Sequence, residues 1–77
     1  MWVRSQDKKS LRDYVSYVIQ PSIGSNKHNI QGQTKNSIFR TYDFILGRYS
    51  TLENAIEELD NLQNNLKINS NDIYNMN

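Results

Sequence analysis

The run STLENAIEELDNLQNNL, residues 50–66, decides the fold because it has the pattern of a capped amphipathic helix. Ser50 and Glu53 have the spacing of a capping box, in which each side chain accepts a hydrogen bond from the other residue's amide. Apolar residues recur at spacings of three and four along one face of the run. They are Leu52, Ala55, Ile56, Leu59, Leu62 and Leu66. The sequence therefore predicts a helix from Thr51 to about Leu66 with one face to bury.

The charged residues of this run also suit a helix. Carboxylates occupy its first turns, where the helix dipole favours anions, and Lys67 lies near its end, where the dipole favours cations. The carboxylates are Glu53, Glu57, Glu58 and Asp60. Because no histidine is nearby and the leucines take the inward face, we expect these carboxylates to be solvated rather than to bind metal or transfer protons.

The segment before the helix, residues 37–49, alternates in side-chain character and predicts a strand. Bulky apolar residues fall on both of its faces, with Phe44 on one and Ile45 on the other. Two explanations are open. Either a bulge near Tyr42 and Asp43 switches the inward face, or one face packs on the helix and the other on a second subunit.

The amino-terminal half predicts further strands around a polar loop. Residues 1–5 predict a short strand. Residues 11–19 fit a helical period as well as a strand. We predict a strand over 14–20 because the run is short and rich in β-branched and aromatic side chains. Residues 22–35 predict a polar loop, part of which, 29–33, could form a brief edge strand.

Together these elements predict one α+β domain over residues 1–67. It consists of a small antiparallel sheet of three or four strands followed by one C-terminal amphipathic helix. The remainder, residues 68–77, is rich in Asn and Ser and predicts a flexible polar tail. Ile73 and Tyr74 are the residues that could hold this tail to the domain.

Length and composition limit what the chain can be. It has 77 residues and no cysteine, so it has room for one small core and no disulfide to stabilise it. Oligomerisation is the remaining common source of stability, which favours a homodimer. The net charge of +1 argues against strong non-specific binding of duplex DNA. No apolar run suits a membrane helix and no signal segment opens the chain, so we expect a cytoplasmic protein without membrane contact.

Two parts of the sequence resemble a broad set of short, mostly uncharacterised proteins from Gram-positive bacteria and their phages. The opening MWVRSQDK, residues 1–8, is similar to the N-terminal signature of these proteins. The segment LGRYST, residues 46–51, followed by Ala55, Ile56 and Leu59, is similar to their carboxyl-terminal part. The resemblance implies an antiparallel sheet closed by one C-terminal helix, and an accessory role in phages or prophages. It implies no reaction and assigns no catalytic or binding residues.

Arginine lies close to aromatic residues at several places, which defines a candidate ligand or partner face. The candidate residues are Trp2, Arg4, Arg40, Tyr42 and Arg48. Aromatic planes beside guanidinium groups on one sheet face can bind single-stranded nucleic acid or a nucleotide. The alternative, which is the commoner arrangement, is that the aromatic side chains belong to the core and the arginines lie at its rim. The pair Arg12 and Tyr14 shows the same pattern.

No catalytic or cofactor motif accompanies this face. His28 is the only histidine and lies in the predicted loop, away from any serine–carboxylate pair. The three glycines are isolated and lack the spacing of a Walker or dinucleotide loop. We therefore expect a non-catalytic protein that uses no cofactor or metal.

The predicted function is that of a small phage- or prophage-type accessory protein in the host bacterial cytoplasm. We expect it to bind and inhibit a host macromolecule. Our hypothesis is that the target is a host protein of bacterial immunity, which would make this chain an anti-defence inhibitor. Binding of nucleic acid or a nucleotide through the arginine–aromatic face is the alternative. An enzyme is the third possibility.

Overall fold

The computed structural model describes residues 1–37, 41–68 and 72–77, which form one helix on a five-stranded sheet. In chain order the elements are β1 (Trp2–Arg4), β2 (Leu11–Pro21), β3 (His28–Thr34), β4 (Phe44–Tyr49), α1 (Leu52–Ile68) and β5 (Tyr74–Asn75). The order across the sheet is β4-β3-β2-β1-β5. Every pairing is antiparallel except that of β1 with β5, which is parallel. The α+β class is confirmed, but the prediction of three or four antiparallel strands missed β5.

Strand β2 confirms the strand interpretation of the ambiguous segment, and it is longer than predicted. A register shift lies between Tyr14, which is opposite Thr34, and Ser16, which is opposite Gln33. Val15 is therefore an extra residue, and the bulge divides β2 into two halves. The first half pairs with β1 and the second half pairs with β3.

Within the predicted loop over residues 22–35, the strand considered for 29–33 is present and longer than predicted, because residues 28–34 form β3. β3 lies between β2 and β4 and is a central strand rather than an edge strand. At the inward positions of β3, part of the core is filled by a side chain from the neighbouring strand β2. Ile30 is fully buried, and a Cβ atom on Gly32 would lie 2.4 Å from the Tyr14 ring, which fills that space instead.

The predicted strand over residues 37–49 is shorter in the structure, where β4 begins at Phe44. Residues 38–40 lie outside the described residues, and residues 41–43 are not in a strand. A bulge is present, but it lies at Leu46, because Gln31 is opposite Ile45 while Ile30 is opposite Gly47. The bulge explains how β4 turns Leu46 inward and leaves Ile45 40% exposed.

The core lies between the inward face of the sheet and the helix, which packs on β3 and β4. Its buried hydrophobic members are Val3, Tyr14, Ile30, Leu46, Tyr49, Ala55, Leu62, Tyr74 and Met76. Because side chains alternate along a strand, the neighbours of these residues in β1 and β4 point outward. Trp2, Arg4 and Arg48 are accordingly exposed.

The helix begins one residue later than the capping box predicts. The amide of Asn54 donates to Thr51 Oγ1 at 3.1 Å, so Thr51 rather than Ser50 is the N-cap. Of the predicted apolar stripe, Ala55 and Leu62 are buried and Leu59 is half-buried. The other three stripe residues, Leu52, Ile56 and Leu66, are each at least 39% exposed.

Residues 72–77 differ from the predicted flexible tail. Tyr74 and Met76 are buried in the core, and Tyr74 lies opposite Val3 in the β1–β5 pairing. The amide of Met76 donates to the carbonyl of Arg4 at 3.1 Å. Ile73 is 53% exposed, so Tyr74 is the member of the predicted pair that is buried in the core. Alternation of inward apolar and outward polar residues, rather than a long apolar run, lets so polar a segment dock.

Candidate binding surface

The turn that joins β1 to β2 has a conformation fixed by its own hydrogen bonds. Ser5 is buried, and its hydroxyl donates to Asp7 Oδ1 at 2.6 Å. The amide of Lys9 donates to the same oxygen at 3.0 Å. These two bonds hold the pKa of the Asp7 carboxyl below its usual range. Lys8 has a φ of 66°, in the left-handed region. Residues 5–10 therefore form a hairpin turn that several of its own hydrogen bonds stabilise.

This turn also positions Arg4. Its Nε and Nη2 atoms donate to the carbonyl of Lys8 at 3.3 and 3.2 Å. Because the guanidinium is planar, these bonds fix its orientation and leave its other N–H groups free to donate outward. Arg4, Lys8 and Lys9 are all exposed, so three cations meet at the end of the hairpin.

The outward side of the hairpin also carries exposed apolar groups. In the β1–β2 pairing Trp2 lies opposite Asp13 and Arg4 lies opposite Leu11, so these four side chains share the outward face. Trp2 is 49% exposed and Leu11 is 45% exposed. Ile73, next to β5, continues the apolar area beside Arg4 and Leu11.

Two open grooves meet at Leu11, and together they form what we call the Leu11 surface. The first groove, of about 540 Å³, contains Arg4, Lys8, Lys9 and Ile73. The second, of about 460 Å³, contains Trp2, Arg12, Lys35 and Phe44. Among the described residues that line the two grooves, five are cationic and Asp13 is the carboxylate. The Leu11 surface therefore attracts anions across an area that also offers apolar contacts.

A cation–π contact forms one wall of the second groove. The Arg12 guanidinium carbon lies 4.1 Å from the centroid of the Phe44 ring. Phe44 in turn packs edge-on against the buried Tyr14 ring at 6.3 Å. The Arg12 guanidinium thus contacts a Phe44 ring whose position is fixed by packing against Tyr14 of the core.

The structure brings the predicted face together in part. Trp2 and Arg4 belong to the Leu11 surface. Tyr42 is half-buried and its hydroxyl lies 2.8 Å from Ser16 Oγ, so it is not a free stacking plane. Arg48 is exposed on β4 and lines neither groove. Its backbone amide donates to Gln6 Oε1 at 2.9 Å. Arg40 lies outside the described residues.

Sequence reasoning missed most of the Leu11 surface. The arginine–aromatic pattern included Arg12, but it paired Arg12 with Tyr14 rather than with Phe44. Lys8, Lys9 and Lys35 had no aromatic neighbour in sequence to mark them. Their grouping comes from the hairpin and from the end of β3, which no local spacing reveals.

A second cluster of polar groups surrounds Glu58, which the sequence predicted to be solvated. Glu58 is 3% exposed, and its Oε2 atom accepts from the Tyr74 hydroxyl at 3.0 Å and from the Asn77 backbone amide at 2.8 Å. Its Oε1 atom accepts from the side-chain amides of Asn77 and Asn61, at 2.9 and 3.2 Å. The carboxylate is thus fully engaged, and the cluster is suited to holding residues 72–77 rather than to binding a ligand.

Two tyrosines report this environment. Burial raises the pKa of Tyr74, and its hydrogen bond to Glu58 raises it further. Burial also raises the pKa of Tyr49, and the Glu58 charge adds to the effect. The Tyr49 hydroxyl donates to the carbonyl of Asn77 at 3.0 Å, and Gln6 Nε2 donates to the same oxygen at 3.0 Å. The cluster therefore joins α1 and β4 to the residue beyond β1.

Other kinds of site have no support in the described part of the chain. No group of three or more His, Cys, Asp or Glu residues there could hold a metal ion. His28 lies in β3, opposite Tyr49. Within residues 1–37, 41–68 and 72–77, no helix has the length and apolar character needed to cross a membrane. Comparison of the chain with protein-family models, curated proteins and solved structures finds no match.

Proposed function

We propose that the protein is a non-catalytic, phage- or prophage-type accessory protein that binds and inhibits a host macromolecule in the bacterial cytoplasm. The proposed partner is a host protein, and a component of bacterial immunity is the proposed target. The observation that supports this proposal is the Leu11 surface, where exposed Trp2, Leu11 and Ile73 lie among five cations.

The composition of this surface is that of a protein-binding patch. Tryptophan and arginine are enriched among the residues that dominate binding energies. Arg4 is already held by the Lys8 carbonyl, so little side-chain entropy is lost when a partner binds it. The cations are complementary to carboxylates on a partner, and the apolar groups are complementary to apolar side chains beside those carboxylates.

The proposal is tested by capture from a Gram-positive host lysate with two charge-reversal variants. We expect Arg4→Glu to lose the captured partner and Lys67→Glu to retain it, since Lys67 is exposed at the far end of α1. The purified partner's own activity is then measured with and without the protein. Equal capture by both variants, or a partner whose activity is unchanged, would contradict the proposal.

Nucleic-acid or nucleotide binding is the second candidate, and the second groove favours it. Trp2 offers a half-exposed ring, and Arg12 and Lys35 supply cations beside it. Trp2 is the only tryptophan, so its fluorescence reports this groove directly. Stacking of a base on Trp2 should quench the fluorescence, and the affinity should fall steeply with salt.

A single-stranded oligonucleotide titration separates the two candidates. For nucleic-acid binding we expect Lys35→Ala to flatten the salt slope by about one, which is the effect of one lost phosphate contact. Lys67→Ala serves as the control and should leave the slope unchanged. Unquenched Trp2 fluorescence at all oligonucleotide and nucleotide concentrations eliminates this candidate and leaves the protein partner.

A further inference from the structure

Among the residues that the structure describes, no strand pairs with the second half of β2 on the side away from β3, and we call this side the free edge. The last hydrogen bond between β2 and the chain before β1 runs from the Tyr14 amide to the Met1 carbonyl, at 3.0 Å. Beyond this point residues 16–21 pair with β3 on one side only. On the other side their backbone groups have no hydrogen-bond partner among the residues that the structure describes.

The hydrogen-bond phase of the β2–β3 ladder identifies the free groups. In an antiparallel pair, bonded and non-bonded residue pairs alternate. The amide of Ser22 donates to the carbonyl of Lys27 at 2.9 Å, so Ser16, Val18 and Gln20 also point their backbone groups toward β3. Tyr17 and Ile19 therefore point their N–H and C=O groups toward the free edge.

Natural edge strands are protected by charged side chains, by proline or by being short. Pro21 ends β2 and closes this edge at one end. Between the bulge and Pro21 the edge lacks these features, because residues 16–20 contain no charge and no proline and most are β-branched or aromatic. The bulge at Val15 lies at one end of the edge and does not interrupt it. An unprotected edge of this length is suited to accept another strand.

We propose that a second copy of this chain occupies the edge, with the β2 strands of the two copies antiparallel about a two-fold axis at Val18. Tyr17 of each copy then lies opposite Ile19 of the other, and the pair exchanges both backbone hydrogen bonds. Val18 faces its own symmetry equivalent, and since the flanking residues are uncharged, no like charges meet. Symmetric pairing through β4 is disfavoured, because Gln6 already hydrogen-bonds its outer edge at Leu46 and Arg48.

The dimer is independent of the Leu11 surface and is tested by sedimentation. We expect the wild-type protein to dimerise at micromolar concentration, and Val18→Lys and Val18→Glu each to weaken the dimer roughly tenfold or more by placing like charges opposite each other. A mixture of the two variants should associate again, because lysine then faces glutamate. Ile45→Lys is the matched control, since Ile45 lies on the same sheet face two strands away.

Amide hydrogen exchange locates the interface without any substitution. The amides of Tyr17 and Ile19 should become protected as the protein concentration rises, whereas those of Val18 and Gln20, which already bond to β3, should not change. A wild-type protein that remains monomeric at about 100 μM overturns the proposal. So does a dimer in which Tyr17 and Ile19 exchange at the same rate at every concentration, or a mixture of folded Val18 variants that fails to associate.

Discussion

The β1–β2 hairpin and the carboxyl-terminal part of the molecule use polar residues in opposite ways. In the hairpin, Arg4 is fixed by a backbone carbonyl and still presents donors to solvent. Between α1 and β5, Glu58 is buried and accepts hydrogen bonds from internal donors at both carboxylate oxygens. The comparison teaches that a charged residue serves the fold when internal partners use both of its polar atoms, and is available for recognition when some of its donors still face solvent.

The largest loss of stability should follow truncation of the helix leucine that is fully buried. We expect Leu62→Ala to lower the free energy of unfolding by about 2–5 kcal/mol, because it leaves a cavity between helix and sheet. Leu62 is 1% exposed, whereas Leu66 is 39% exposed. Leu66→Ala is the matched control and should cost much less. Denaturant unfolding that gives equal losses would place the helix differently on the sheet.

The sequence stripe alone could not rank these leucines. Its spacing identified the helix, and the helix is present, but Ile56 and Leu66 match the pattern and are exposed. α1 packs chiefly on β3 and β4, and these strands do not cover the whole stripe. Which part of a stripe is covered depends on the width of the opposing surface, and periodicity does not contain that width.

Glu58→Gln should have the next largest effect and tests the carboxyl-terminal side of the comparison. The substitution keeps the shape of the side chain but replaces a charged acceptor that receives bonds from Tyr74 and Asn77. We expect a loss of about 1.5–3 kcal/mol in thermal or chemical unfolding. Glu57→Gln, one residue away and exposed, should change stability by less than about 0.5 kcal/mol. Equal stability of the two variants would show that the cluster does not hold residues 72–77.

Alkaline pH should weaken the same region. The pKa of Tyr49 and that of Tyr74 are raised in the folded protein, so both keep their protons at a pH where the unfolded chain loses them. Stability is therefore complete below about pH 10 and falls above it by about 1 kcal/mol per pH unit for each tyrosine. Thermal melts between pH 8 and pH 11 measure this fall. Tyr49→Phe should make it shallower, and a melting temperature that is flat to pH 11 would contradict the burial of these hydroxyls.

The helix cap offers a smaller effect that separates two adjacent residues. Thr51→Ala should cost about 0.5–2 kcal/mol, because the Asn54 amide loses its acceptor. Ser50→Ala should leave the melting temperature nearly unchanged, since Ser50 is exposed and is not the cap. The reverse ranking of the two variants would restore the capping box that the sequence predicts.

The smallest effect on stability is expected at the Leu11 surface. Trp2→Ala and Leu11→Ala should each change the free energy of unfolding by no more than about 1 kcal/mol, because both side chains are close to half exposed. If binding is lost while the melting temperature is kept, the surface serves recognition. If either variant unfolds, that side chain is needed for the fold, and loss of binding by the variant says nothing about recognition.

The sequence predicted local features better than long-range ones. The strand over β2 and the helix were both foreseen, because their patterns lie within short windows. Strand β3 was foreseen only as a brief edge strand over 29–33, since its glycine is explained only by the Tyr14 ring, eighteen residues earlier in the chain. The burial of Glu58 depends on donors at Tyr74 and Asn77, sixteen and nineteen residues later. Neither relation produces a local pattern.

Only a small part of the Leu11 surface was predicted, for the same reason. Trp2 and Arg4 are two residues apart on β1, so alternation alone placed them on one face. Lys35 joins them only because β3 ends beside the first half of β2. A contact made by the end of one strand with the middle of another cannot be read from either segment.

The hydrogen bond between Gln6 and Asn77 joins residues 71 positions apart, so it can form only when nearly all of these residues have been synthesised. A ribosome adds roughly 5–20 residues per second, so β1 exists for seconds before the chain that covers its outer edge has been made. A contact this distant in sequence requires a long loop to close, and the entropy cost of that closure slows folding relative to a helical protein of equal length. During synthesis the β1–β2 hairpin can form from its own turn, whereas β1 gains its second neighbour only when Tyr74 and Asn75 have left the exit tunnel.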